Sequence, residues 1–297
     1  MPSLIAGLTG FVLRTTGIYC KLFTGGPQFQ VNIAKSRAQP LPEPNAKARG
    51  SLDVTQTEFG GRPIWTLAPK DREPSAHILY WHGGGYVYPA ADVHWAFLAH
   101  MAKVHGWSVT APLYPLAPES NAEAVTAWAM EFYRQYTADK NGTPFIMAGD
   151  SAGGGLTAAV AQLARDAGDA NAVALILICP WLNLDPAHPD QAKIERRDGI
   201  LTISGITDAG RIYAGNLPLT DPRCSPIFGN WEGFPPVLAF GGGDDILVTD
   251  ARALKSRHPA AVYRELSAML HVWPIFTFRE SRDAQSEMAA FAASAIT

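Results

Sequence analysis

Gly149-Asp150-Ser151-Ala152-Gly153 sets a hydroxyl between two glycines in the pattern G-x-S-x-G. A serine hydroxyl is a poor nucleophile until a base within hydrogen-bond reach takes its proton, so such a residue needs a particular setting. Pro144 to Gly149 reads as a buried strand, and Ala152 to Ala167 as a helix packed through Ala159, Val160 and Leu163. A sharp strand-to-helix turn between them, relieved by the flanking glycines, would hold Ser151 out at the top of a sheet, close to the positive end of the helix. The plainer reading is Ser151 as a helix N-cap.

His82-Gly83-Gly84-Gly85 follows a strand that ends at Trp81. Acyl transfer builds negative charge on a carbonyl oxygen, and backbone N–H groups meet that charge only where no side chain blocks the approach. Three glycines after a strand suit this need, with the N–H of Ala152, the residue after the serine, as a further donor. A phosphate loop would carry G-x-x-x-x-G-K-S/T, which is missing here; a simple glycine turn is the other reading. His82 precedes the serine and suits support of the loop by hydrogen bonding better than service as a base.

Where a strand-turn-helix serine is the nucleophile, the acid and then the histidine follow it in the chain. Of eight histidines, only His188, His258 and His271 come after Ser151. His188 lies in a polar stretch before any strand-end acid and reads as a surface residue. His258 closes a helix over Asp250 to Arg257 and should face away. His271 comes after a strand over Val262 to Leu266, in a loop before Val272-Trp273, and position selects it as the base. Asp244 and Asp245 both end a strand over Pro236 to Gly243; adjacent residues leaving a strand point in roughly opposite directions, so only one can face the imidazole. Asp250 is the next candidate.

The elements that must hold these groups alternate. Apolar runs at His77 to Trp81, Trp107 to Leu113, Pro144 to Gly149, Val173 to Cys179 and Val237 to Gly241 are separated by helical patterns, including Ala122 to Tyr136, which predicts a mostly parallel sheet covered on both faces. Leu184 to Phe234 breaks the rhythm, with charges at Lys193, Glu195, Arg196, Arg197 and Asp198 and a helix around Ser204 to Asn216. It reads as an insertion over the carboxyl ends of the strands, where open α/β sheets place their sites. The first 50 residues, apolar from Leu4 to Leu13 and broken by Gln39-Pro40-Leu41-Pro42-Glu43-Pro44, read as a cap segment and linker before one domain over 51–297, with the cap insertion at about 185–220.

The 297 residues are 47% hydrophobic and 17% charged, enough to bury a large core. A net charge of −3 offers no strong attraction for nucleic acid, and a neutral small molecule fits better. Cys20, Cys179 and Cys224 are an odd number at wide spacing, which favours reduced thiols in the cytoplasm and no zinc site. Leu4 to Leu13 has no preceding Lys or Arg and two interrupting glycines, a weak signal peptide; no run reaches the roughly 18–20 apolar residues of a membrane span. The segment reads best as a helix packed on its own protein, with a membrane-surface helix as the alternative.

From Ile78 to the carboxyl end the chain resembles the bacterial hormone-sensitive-lipase-like esterases of the α/β-hydrolase superfamily. The likeness rests on His82-Gly83-Gly84-Gly85-Tyr86, Tyr114-Pro115-Leu116-Ala117-Pro118-Glu119, Gly149-Asp150-Ser151-Ala152-Gly153-Gly154, Asp244-Asp245-Ile246-Leu247 and His271-Val272-Trp273. It implies an α/β-hydrolase fold with an eight-stranded sheet, a helical cap, no cofactor and no metal. It further implies a Ser151, His271 and Asp244 triad, oxyanion donors on Gly84, Gly85 and Ala152 with Gly83 a lesser candidate, and loop support from His82 and Glu119, unless Glu119 is a solvated surface residue. Asp245 stands where relatives carry proline or glutamate, and Asn121 to Ala124 where they carry Phe-Pro-Ala, a change that should touch packing more than chemistry. The expected activity is hydrolysis of short to medium acyl esters through an acyl-enzyme; a lactone hydrolase, an amidase or a non-catalytic ligand-binding relative are the alternatives. Pairing as a homodimer stays open.

Overall fold

The computed structural model describes residues 2–186 and 188–297. Three helices come first: α1 Leu4–Thr16, α2 Pro27–Arg37 and α3 Ala46–Ser51. Ser3 caps α1 through its hydroxyl, Gly17 ends it in a left-handed turn, and Pro27 opens α2 with a backbone angle already suited to a helix. α2 stops just before the proline-rich break, as expected.

The sheet comprises β1 Asp53–Phe59, β2 Arg62–Ala68, β3 Ala76–Trp81, β4 Trp107–Pro112, β5 Phe145–Asp150, β6 Ala174–Ile178, β7 Val237–Gly242 and β8 Val262–Leu266. Their order is β1-β2-β4-β3-β5-β6-β7-β8. β1 and β2 pair antiparallel, as do β2 and β4; every other neighbouring pair is parallel. The expected eight-stranded, mostly parallel sheet is therefore present. Five of the six inner strands, β3 to β7, announced themselves as apolar runs because both faces of the sheet are covered there. β1 did not: its Val-Thr-Gln-Thr-Glu is largely exposed at the sheet edge and carries no apolar period.

Helices α4 Asp92–His105, α5 Ala122–Lys140, α6 Ala152–Ala167, α7 Gln191–Glu195, α8 Ile203–Ala214, α9 Val248–Arg257 and α10 Arg279–Ile296 complete the chain. Asn121 accepts a hydrogen bond from the Ala124 N–H and so caps α5. The core runs through the whole sheet, with Ile78, Leu79, Ile146, Leu175, Ile176 and Leu177 fully buried. α7 and α8 lie in the 185–220 stretch, and α8 falls within one or two residues of the helix expected there.

α6 lies unusually close to β3. A Cβ built on Gly153 would stand 2.0 Å from the Trp81 carbonyl oxygen and 2.6 Å from that of His82, both backbone atoms that cannot step aside. Gly153→Ala should therefore cost about 2 kcal/mol or more of unfolding free energy, a large overpacking penalty. Urea denaturation of the two proteins, followed by circular dichroism, measures it.

Candidate active site

The carboxyl ends of β3, β5, β7 and β8 converge on Ser151. β5 passes into α6 through this single residue, whose backbone sits at φ 54°, ψ −123°. A non-glycine residue holds such angles only when its surroundings fix it. Here the Ser151 N–H donates to the Ile178 carbonyl at 2.9 Å, and its carbonyl accepts from Gly155 at 3.1 Å and Trp181 at 2.9 Å. The hydroxyl does not cap the helix. It points instead to His271, with Oγ 2.9 Å from Nε2. The simple N-cap reading is thereby set aside.

The acid differs from expectation. His271 Nδ1 lies 2.8 Å from Asp245 Oδ2, not from Asp244. β7 ends at Gly242, one residue earlier than the strand read over Pro236 to Gly243, and the Asp245 N–H donates back to the Gly242 carbonyl at 3.1 Å. Gly243 and Asp244 are thus spent in a turn, and Asp245 faces inward. Its second oxygen accepts from the Leu247 N–H at 2.8 Å. Asp244 faces outward, taking Arg197 Nε at 2.8 Å and Arg14 at 3.5 Å. Alternation of side chains allows only one of the two acids to face His271 and leaves open which; the resemblance implied Asp244, and the structure brings Asp245 there.

Asp245 and His271 are buried, at 0% and 3% exposure. Burial by itself would lower the imidazole's pKa; the Asp245 carboxylate outweighs it, with Asp198 and Asp150 adding to it, and His271 is held above its ordinary value. Asp198 was noted in the sequence only as one charge of a cluster. It is buried, and accepts from the N–H groups of Ile200, Leu201 and Ile246 at 2.8, 3.0 and 2.9 Å. Burial, then the nearby Asp245, raise its pKa. It ties the inserted segment to the loop that carries Asp245. Asp250, the third candidate acid, instead accepts from Leu182 and Asn183, both at 2.8 Å, and burial pushes it up to about 7.

Beside Ser151, Gly84 and Gly85 take φ 121° and φ 62°. A Cβ on Gly84 would approach the Tyr88 carbonyl to 2.3 Å, so only glycine fits there. Among the described residues, no protein acceptor engages the N–H of Gly84 or Gly85, and Ala152, first in α6, has no partner inside its helix. Gly83 is different: its N–H donates to Asp150 Oδ1 at 2.9 Å. That donor is committed, which removes Gly83 as a candidate.

Asp150 is the buried anchor of this loop. It also accepts the Tyr80 hydroxyl at 2.6 Å and His94 Nε2 at 3.2 Å, while the Ala91 N–H donates to His94 Nδ1 at 2.8 Å. Burial would raise the Asp150 pKa, but His94, Tyr80 and Gly83 together hold it below the carboxylate's ordinary value. Neither His94 nor Tyr80 carried a sequence signal, since the apolar patterns around them look like ordinary core. His82 supports the loop as expected: its Nδ1–H donates to the Gly83 carbonyl at 2.6 Å, and its ring stacks on Tyr114 with centroids 4.4 Å apart. Burial, then His94, push its pKa down to about 3, so it stays neutral. Glu119 is itself exposed, and pairs with Arg37 at 3.2 Å. Arg37 in turn donates to the Val87 and Ala117 carbonyls at 2.7 and 2.6 Å, so Glu119 supports the loop at one remove.

His188 is exposed, and His258 packs near Trp231 and Phe234. Among the described residues, Cys179, Asp245 and His271 bring ligand atoms within 4.8 Å of one another. Burial and the Asp245 carboxylate push the Cys179 thiol well above its ordinary pKa. Two of the three, His271 and Asp245, are already paired to each other in the line that leads to Ser151, and the thiol stands behind them.

A model of the alpha/beta hydrolase fold matches residues 78–275. The chain belongs to this family. An acetyl-hydrolase of Streptomyces hygroscopicus is 31% identical over 209 residues, covering 68% of this chain and 69% of that one. An esterase of Acinetobacter venetianus is 26% identical over 279 residues, 89% and 91% of the two chains. The crystal structure of a hormone-sensitive lipase from a metagenome library superposes with a TM-score of 0.83 at 25% identity, covering 97% of each chain. The likeness to the hormone-sensitive-lipase-like branch of the α/β-hydrolases holds.

In this α/β-hydrolase the glycine loop after β3 depends on a buried carboxylate. Asp150→Ala would leave the Gly83 N–H, the Tyr80 hydroxyl and His94 without their common acceptor. A loss of about 3–5 kcal/mol in stability is expected, as when one member of a buried charged network is removed. Chemical denaturation checks this, and a loss below about 1 kcal/mol would show that the three donors find other partners.

Proposed function

We propose that this chain is a carboxylic ester hydrolase that works through an acyl-enzyme, with Ser151 as nucleophile, His271 as base and Asp245 as the acid. One observation carries the reading: Ser151 Oγ, the two nitrogens of His271 and the Asp245 carboxylate form an unbroken line at 2.9 and 2.8 Å. His271 Nε2 takes the Ser151 proton as Oγ bonds to the ester carbonyl carbon. The N–H groups of Gly84, Gly85 and Ala152 receive the oxyanion. As the carbon–oxygen bond of the leaving alcohol breaks, His271 returns the proton to that oxygen, and water then repeats both steps on the acyl-enzyme. Asp245 holds the Nδ1–H tautomer and stabilises the imidazolium without becoming protonated. The names of the relatives, acetyl-hydrolase and esterase, agree with this chemistry.

The substrate reading is short to medium acyl esters, with residues 1–50 and about 185–220 as a cap. Its support is contact with the site's edges. Phe23 stands beside Gly85, where an added Cβ would come within 2.8 Å of its ring, and the Tyr213 ring of α8 stacks on Tyr86 at 3.6 Å. Lactones and amides present the same carbonyl to the same groups, and a turnover panel separates them. The three cysteines are free thiols, which agrees with a reducing cytoplasm.

The deciding experiment compares Ser151→Ala, Asp245→Asn and Asp244→Asn on p-nitrophenyl acetate, with folding checked by circular dichroism. Ser151→Ala should lose on the order of 10⁶ in kcat and Asp245→Asn on the order of 10⁴, as in other serine triads. Asp244→Asn should stay within about tenfold of the parent, because its partners are arginines and not the base. A crippled Asp244 variant beside an active Asp245 variant would return the acid to Asp244.

The pH dependence has a definite sign. Protonated His271 cannot accept the serine proton, so kcat/KM falls as pH drops through its pKa. That midpoint should lie above the ordinary histidine value of 6.5, because the carboxylates of Asp245, Asp198 and Asp150 together more than offset burial. A pH–rate profile with a midpoint below 6 would contradict the arrangement.

A further inference from the structure

α1 is apolar on both sides. Ala6, Gly10 and Leu13 face the protein and are buried. Leu4, Ile5, Leu8, Phe11 and Val12, which share the opposite face at helical spacing, are 93%, 70%, 65%, 58% and 45% exposed. The surface continues through Ile18, Tyr19 and Leu22, also exposed. Of thirteen exposed large apolar side chains among the described residues, ten lie between Leu4 and Leu41. Scattered exposed apolar residues need no explanation, but a contiguous patch does, and a helix apolar all round is normally covered on every side.

Charge points to what covers it. The first 42 residues contain Arg14, Lys21, Lys35 and Arg37 and not one Asp or Glu, in a chain whose net charge is −3. Arg14 and Arg37 turn inward to Asp244 and Glu119; Lys21 and Lys35 are exposed. A second copy seated on this face would set like cations against each other with no carboxylate in the segment to meet them. Among the described residues, no helix is long and apolar enough to cross a membrane, so α1 could lie on a bilayer but not span it.

We propose that the outward face of residues 4–22 docks on an anionic lipid surface, with Leu8 and Phe11 in the acyl boundary and Lys21 and Lys35 at the phosphates. The inner side of the same segment stands against the site. An added Cβ on Gly199, in the inserted segment, would be 3.0 Å from Leu13 Cβ; Phe23 borders Gly85; and Arg14 holds Asp244, the neighbour of the triad's acid. Docking would therefore bring the edge of the site to the lipid, and esters dissolved there would reach Ser151 without crossing water. That purpose rests on the hydrolase reading, whereas the docking does not.

The test is co-sedimentation of the full chain with vesicles of phosphatidylcholine alone and of phosphatidylcholine mixed with phosphatidylglycerol, with p-nitrophenyl acetate turnover measured separately without lipid. The parent should bind the mixed vesicles more tightly than the neutral ones. Leu8→Asp with Phe11→Asp should weaken that binding more than about tenfold, and Lys21→Gln and Lys35→Gln about fivefold each, all with turnover of the dissolved ester unchanged. Absence of vesicle binding by the parent, or equal binding by the aspartate variant, overturns the proposal. So does a parent dimer in sedimentation velocity that the aspartate variant dissociates, if no vesicle binding accompanies it. Failure of ester turnover in a parent that still binds vesicles would count against the hydrolase reading alone.

Discussion

Everything at this site depends on turning a buried strand into a buried helix in one residue. The left-handed backbone of Ser151 is costly for a serine, on the order of 1–3 kcal/mol, and persists because three backbone hydrogen bonds to and from that residue leave no alternative. The turn aims the hydroxyl at His271 and starts α6 beneath it. It also presses α6 against β3 so closely that Gly153 cannot carry a side chain. The loop after β3 then begins within reach of the elbow, and Asp150, the residue before the serine, accepts the Gly83 N–H. One constraint fixes Ser151, the proposed nucleophile, and the start of the loop proposed to meet the oxyanion.

The two adjacent acids divide the remaining work. Asp245 turns inward to His271, and Asp244 outward to Arg14 and Arg197, one from the N-terminal segment and one from the insertion. Asp198 reinforces the join by accepting the Ile246 N–H immediately after Asp245. A buried carboxylate with no cation of its own is expensive unless backbone N–H groups satisfy it, and three do. The segments that border the site are thereby tied to the loop that orients the base.

What could be read in the sequence followed from how each part is held. Inner strands are apolar on both faces, glycines mark backbone without room for a side chain, and chain order leaves three histidines after Ser151, of which position after a strand selects His271. The resemblance implied Asp244, but β7 ends at Gly242 and a turn, invisible to strand periodicity, brings the Asp245 carboxylate to His271 instead. Gly83 stood as a lesser candidate beside Gly84 and Gly85, and Asp150 takes up its N–H: a glycine run shows where backbone is bare, while the direction of each N–H depends on the acceptor it meets. β1 and β2 were not located, since the exposed edge strand alternates weakly and its neighbour gains its pattern only by pairing antiparallel with β4. His94, Tyr80 and Asp198 act through contacts across long stretches of chain, which no local spacing encodes.

The N-terminal segment illustrates the same limit from the other side. Its apolar pattern suggested a helix packed on the protein, and the inward row of Ala6, Gly10 and Leu13 satisfies that reading. The outward row does not contribute to this fold, because side chains exposed to water gain nothing from burial. Such a row adds only the risk of nonspecific association unless something covers it. Arg14 gives the helix a reason to stay where it is, since it reaches Asp244, the neighbour of the Asp245 carboxylate that meets His271. A helix fastened there, with one apolar face packed and the other open, can meet a second apolar phase without leaving the site it borders. The physical cost of exposing that face in water and the place where the face stands thus argue for one arrangement, in which the edge of the site and an ester-bearing surface come together.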